Sequence, residues 1–185
     1  MKKIIQLITA LLITFIVTGC GGAKLSPDQQ ALFDSQAEVY TQVPMWTEKN
    51  RVYGTNYSRG MLIPINSKVK LLDASSKAIV FEYNGQKITY LIFTKHTRAD
   101  TAKMIKRLFA KKPVDLTKYP HAKEIKDAHV VKGMSKDEVI LARGYPPFHM
   151  TRSLDADQWK YWRHRFSTAI VTFKDGKVVD IRGNL

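Results

Sequence analysis

GMSKDEVILARGYPP, residues Gly133–Pro147, decides how the last third of the chain folds. Ser135 is a good helix N-cap, and Glu138 follows three residues later to complete a capping box. Val139, Ile140 and Ala142 supply apolar surface, so the segment predicts a helix running through Arg143. Gly144 closes that helix, and Pro146-Pro147 prevents its return. Downstream, Trp159–Phe166 reads as a strand. Thr168–Phe173 and Lys177–Ile181 read as a hairpin across Lys174-Asp175-Gly176. A capped helix followed by antiparallel strands assigns the chain to the α+β class.

Working towards the N-terminus, residues 113–132 form a basic connector, with a short strand expected at Ala128–Val131. Asp100–Lys111 has helical spacing. Met104, Ile105, Leu108 and Phe109 share one face, and Lys103, Lys106, Arg107 and Lys111 lie around the other. Residues 52–94 have strand texture. Val52–Tyr57, Gly60–Pro64 and Val69–Leu72 are short and rich in branched or aromatic residues. Ala78–Tyr83 and Lys87–Phe93 flank Asn84-Gly85, a strong hairpin signal. The expected result is a small curled antiparallel β unit with a basic helix over 51–112. Pro27–Thr41 is expected to be a short helix capped by Ser26, and Gly21–Ser26 a flexible tether, both within 20–50.

The first residues read as an export signal. Met1-Lys2-Lys3 is positive, Ile4–Val17 carries no charge, and small residues lead to Cys20. The apolar run is too short for a spanning helix, which needs roughly 20 residues. Residues 1–19 are therefore the expected signal peptide. The 185-residue chain carries 30 Lys and Arg against 16 Asp and Glu, a net charge of +14. Such basicity suits nucleic acid, an anionic membrane or an acidic partner, and export removes the first of these. The excess is local: residues 95–132 hold 11 basic and 4 acidic side chains. An exposed basic face near anionic headgroups gains about 1 kcal/mol per Lys or Arg. This makes Lys103, Lys106, Arg107 and Lys111 the candidate contact with a membrane or an acidic partner.

Three stretches resemble known families. Val17-Thr18-Gly19-Cys20 resembles the bacterial lipobox, which implies cleavage before Cys20 and its acylation. Gly21 after the cysteine implies, by the same resemblance, an outer-membrane anchor facing the periplasm. The run Gly133–Pro147, then WKYW (Trp159–Trp162), then AIVTFKDGKVVDIRG (Ala169–Gly183) resembles the SmpA/OmlA (BamE-like) outer-membrane lipoproteins. That resemblance implies a module over 133–185 with helix packed on a three-stranded antiparallel sheet. It also implies a role as an accessory to the barrel-assembly machinery. VYGTNYSRGMLIPINSKVKLL (Val52–Leu72) weakly resembles SH3-like bacterial modules, many of which bind peptides or cell-wall polymers.

The residues support binding rather than catalysis. The five histidines form no HExxH or i,i+4 pair, there is one cysteine, and no GxSxG elbow occurs. The Asp137/Glu138 pair sits in a first helical turn, where negative charge complements the helix dipole. Neither a cofactor nor a metal is expected. Alternation along Trp159–Phe166 places Trp159, Tyr161, Arg163 and Arg165 on one face, the candidate partner-binding patch, because aromatics and arginines are enriched at interaction hot spots. The alternative is a glycan- or peptidoglycan-binding lipoprotein using Tyr53, Tyr57 and Arg59.

Overall fold

The computed structural model describes residues 22–185. The expected signal peptide and Cys20 lie outside the described residues. The elements in chain order begin with α1 (Pro27–Gln30), β1 (Val39–Thr41), β2 (Met45–Thr47), β3 (Arg51–Tyr53) and β4 (Met61–Ile63). Next come β5 (Lys68–Ala74), β6 (Ala78–Tyr83), β7 (Gln86–Leu91), α2 (Thr94–Thr97), α3 (Thr101–Leu108) and β8 (Phe109–Ala110). The last third holds α4 (Ala122–Lys126), α5 (Lys136–Arg143), β9 (Gln158–His164), β10 (Ser167–Lys174) and β11 (Lys177–Arg182). The fold is α+β. Among the described residues no helix is long and apolar enough to cross a membrane.

The first unit is a curled six-stranded sheet in the order β3-β7-β6-β5-β1-β8. Every pair is antiparallel except β3 with β7. The β6–β7 hairpin turns at Asn84 and Gly85, both at positive φ, as a tight two-residue turn requires. Alternation puts Val69 and Leu71 of β5, Ile79 and Phe81 of β6, and Ile88 and Tyr90 of β7 inside. Met104, Ile105 and Leu108 of α3 close over them to form the first core.

The second unit is the sheet β11-β10-β9, packed on α5. Met134, Val139, Ala142, Trp159, Tyr161, Val171 and Phe173 form its core. Ile140 of α5 packs against both cores, so this helix lies at their junction.

Several expectations are corrected. The helix over Pro27–Thr41 is a single turn, because Val39–Thr41 is extended between β5 and β8. The basic helix stops at Leu108. Phe109 and Ala110 turn extended to complete the open edge of β1, and the Phe109 ring meets Phe81 at 5.4 Å. The connector is not a spacer: it contains α4, and Leu116 and Ile125 are buried in the second core. The strand expected at Ala128–Val131 is absent. Ala128 takes a left-handed φ of 56° that ends α4, and His129 N–H returns to the Glu124 carbonyl at 2.8 Å. The flexible tether is also shorter than expected, because Gly22 pairs with Ser75 and Leu25 packs on the first core.

The capping box at α5 is extended into a buried carboxylate site. Glu138 is 1% exposed. One of its oxygens accepts from the Ser135 N–H at 2.8 Å and the Ser135 hydroxyl at 2.9 Å. The other accepts from the His121 N–H at 3.2 Å and His121 Nδ1 at 2.9 Å. Burial by itself raises the carboxyl pKa, but the donors from Ser135 and His121 outweigh it and hold the group at about 2, below an ordinary value of 4.5. The group therefore stabilises the fold fully above about pH 4.5, and this contribution is lost as pH falls towards 2. Its size is about 3 kcal/mol, because each tenfold weakening of proton binding in the folded state is worth about 1.4 kcal/mol. Glu138→Gln should lower the unfolding free energy at pH 7 by an amount of that order. In urea titrations the variant and wild type should converge as pH approaches 2.

Candidate functional site

The junction between the two cores carries the most unusual chemistry. It starts from Arg143, the last residue of α5, which is 1% exposed. Its guanidinium donates to Asn56 Oδ1 at 3.2 Å, the Asn56 carbonyl at 3.1 Å and the Trp162 carbonyl at 3.0 Å. It lies over the rings of Trp46 at 4.6 Å and Tyr161 at 5.1 Å. Burial pulls its pKa down to about 10, so it remains charged at neutral pH. Asn56 replies through its amide, donating to the Arg143 carbonyl at 2.9 Å and the Tyr145 carbonyl at 2.8 Å. Asn56 holds a φ of 56°, a left-handed conformation that asparagine tolerates better than most residues. Tyr161 adds a hydrogen bond to the Gly144 carbonyl at 2.9 Å.

On the surface beside this lock, aromatic rings from both units run in sequence. Tyr57 and Tyr53 lie 6.2 Å apart, and Tyr53 and Phe93 lie 6.3 Å apart with nearly parallel planes. Phe93 meets His96 at 6.0 Å, His96 meets His149 at 4.3 Å, and His149 meets Trp162 at 6.2 Å. Phe93 is 39% exposed, and the other members are half-buried. The His96 and His149 Nδ1 atoms are 2.9 Å apart, so one ring donates and the other accepts. Burial lowers both pKa values, and for His149 the neighbouring His96 and Lys95 add to the effect. Among the described residues no cluster of three His, Cys, Asp or Glu side chains could hold a metal ion.

Tyr53 and His96 also line a cavity of about 30 Å³. Asn56, Tyr90, Arg107 and Tyr145 also line it. Arg107 points into this junction, its guanidinium 4.6 Å over the Tyr145 ring and donating to the Thr97 carbonyl at 3.3 Å. It has left the outer basic face of α3 on which sequence spacing places it. Lys103, Lys106 and Lys111 remain exposed.

The strand expected to bind a partner is only partly available. Alternation along β9 is as expected, but its Trp159 and Tyr161 side is the buried one, both residues being 0% exposed. Trp159 packs 4.8 Å from Phe173, so neither ring can contact a partner in the folded protein. Arg163 and Arg165 are exposed beyond the end of the core. Trp162, on the opposite side, is the residue of this strand that joins the surface ring series. Of the alternative set, Tyr53 and Tyr57 belong to that series, and Arg59 is paired with Glu48 at 2.9 Å. Sequence reasoning missed Phe93, His96 and His149. Phe93 and His96 lie three residues apart around α2, and only the docking of α2 against the loop after α5 brings His149 to them.

Comparison with family models, curated proteins and solved structures finds no match to this chain.

Two outcomes are expected. Asn56→Ala leaves two buried carbonyls and part of the Arg143 guanidinium without partners, and should lower stability by roughly 3 kcal/mol in thermal or urea melts. Replacing Lys103, Lys106 and Lys111 with Gln should lower the salt concentration that releases the non-acylated protein from anionic liposomes. Arg107→Gln alone should leave that midpoint unchanged.

Proposed function

We propose that this is a non-enzymatic lipoprotein anchored through Cys20 to the outer membrane, facing the periplasm, and that it binds envelope glycan through the ring series at the junction. The observation that carries the reading is the run from Tyr57 to Trp162, which brings aromatic rings of both units into one series, with Tyr53 and Phe93 nearly parallel and Phe93 exposed. Aromatic faces are electron-rich, and sugar rings present weakly positive C–H groups that pack on them. Tyr and Trp also combine large contact area with little conformational freedom to lose. The small cavity beside them has room for about two waters, enough for a substituent of a ligand and too little for a whole sugar ring.

The anchor supplies location. Since Gly22 is already paired into the fold, only Gly21 separates it from Cys20. Two Cα steps of about 3.8 Å keep the body within about 8 Å of an acylated Cys20. The ligand must then lie within roughly one protein diameter of the membrane. Binding to an envelope protein of the barrel-assembly machinery, which the C-terminal resemblance implies, is the competing reading. The exposed Arg163 and Arg165 at the end of β9 favour it.

Co-sedimentation of the full-length protein with purified peptidoglycan separates the two. The wild type should pellet, and Tyr53→Ala with Phe93→Ala should remain in the supernatant, with at least roughly tenfold weaker binding. Cross-linked recovery of barrel-assembly components, lost on Arg163→Ala with Arg165→Ala while sedimentation is absent in the wild type, would establish the protein reading instead. The acyl mass on the Cys20–Lys24 tryptic peptide checks the anchor independently.

A further inference from the structure

The junction is rich in cations that no acid neutralises. Among the described residues no Asp or Glu oxygen lies within 4.0 Å of a side-chain nitrogen of Arg98, Arg107 or Arg143. Arg143 is enclosed and gives three hydrogen bonds, to Asn56 and Trp162, while its buried Nε has no partner among the described residues. Arg98 covers the Phe148 ring at 4.6 Å. Arg107 is different: it lines the cavity, is half-buried, and gives one hydrogen bond, to Thr97, from a group with five N–H donors.

Tyr90 stands beside it. Its side chain is 5% exposed and lines the same cavity, and its hydroxyl is not among the buried polar atoms that lack a partner. Burial raises its pKa against the opposing pull of Arg107, so it stays protonated and is available as a donor. The cavity therefore combines a guanidinium with donors to spare, a phenol and apolar walls from Val52, Met104 and Leu108 in about 30 Å³.

We propose that this cavity is a carboxylate subsite, and that the glycan bound on the ring series carries a carboxyl group that enters it and pairs with Arg107 and Tyr90. The inference rests on the reading of the junction as a glycan-binding face and names the substituent that face selects. A carboxylate is planar and matches the guanidinium fork with two oxygens. Its volume suits the space, and a single charge suits apolar walls better than the double charge of a phosphate monoester. The position suits a sugar acid because Tyr53 and His96 belong both to the ring series and to the cavity wall. A ring stacked at the mouth would place its substituent inside.

The test uses the full-length protein in detergent micelles and calorimetric titration. The probes are an oligosaccharide of N-acetylglucosamine and N-acetylmuramic acid with free lactyl carboxyls, the same oligosaccharide with those carboxyls reduced to alcohols, and a peptide with a free C-terminal carboxylate. The acidic sugar should bind at least tenfold more tightly than the reduced one. Arg107→Gln should erase the difference. Tyr90→Phe, which removes a hydroxyl and leaves the ring packing, should narrow it severalfold while the thermal melt stays close to wild type. Equal binding of both sugars, lost on Tyr53→Ala, would overturn the carboxylate subsite and leave the glycan face standing. Binding of the peptide with neither sugar bound would overturn both.

Discussion

The Arg143–Asn56 lock is the constraint on which the rest of the arrangement depends. A guanidinium that is 1% exposed and has no carboxylate partner is an expensive group to bury. It is tolerated here because carbonyls of Asn56 and Trp162, the Asn56 amide oxygen, and the faces of Trp46 and Tyr161 surround it. These partners come from both units. Separating the units would leave the charge without its ligands, and would also strip the Asn56 amide from the Arg143 and Tyr145 carbonyls. Asn56 binds main chain on the far side, so it holds the backbone leaving α5 and not merely a side chain.

That fixation sets the geometry of everything at the junction. The backbone after Arg143 delivers Tyr145 to the Arg107 guanidinium and His149 to His96. Phe148 N–H donates to the His96 carbonyl at 2.6 Å, tying the same loop to α2. The ring series and the cavity are both composite. Tyr53, Phe93, His96, Tyr90 and Arg107 come from the first unit, and Tyr145, His149 and Trp162 from the second. Neither half presents the surface by itself.

Much of the local structure is legible in the chain. The capping box Ser135/Glu138, the stop at Gly144, the Asn84-Gly85 hairpin and the Asp175-Gly176 hairpin are set by contacts between residues a few positions apart. Such contacts are written in consecutive letters. Elements whose fate depends on a distant edge are not legible. Val39–Thr41 and Phe109–Ala110 continue helical patterns in sequence but are extended, because they pair with each other and Val39–Thr41 also pairs with β5. The alternation of β9 identifies which residues share a side, but not which side the core covers. It therefore offers Trp159 and Tyr161 to a surface they do not reach. Arg107 departs from its expected place for a similar reason. It lies at the boundary of the apolar stripe on α3, and whether a boundary residue faces water or a neighbour depends on what packs beside it.

The sequence by itself determined the α+β class, the two hairpins, the capped C-terminal helix and the concentration of positive charge between residues 95 and 132. Short-range sterics, hydrogen bonding and composition are enough for these. The tertiary structure decided which aromatics are core and which are surface. It also decided that the linking segment belongs to the second core, and that Arg107 turns towards Tyr90 and Tyr145 while three lysines of the same basic group stay in solvent. Those outcomes depend on packing two units around one buried cation. A guanidinium finds its carbonyls and rings through space, at residues 46, 56, 161 and 162, and no spacing along the chain records that meeting.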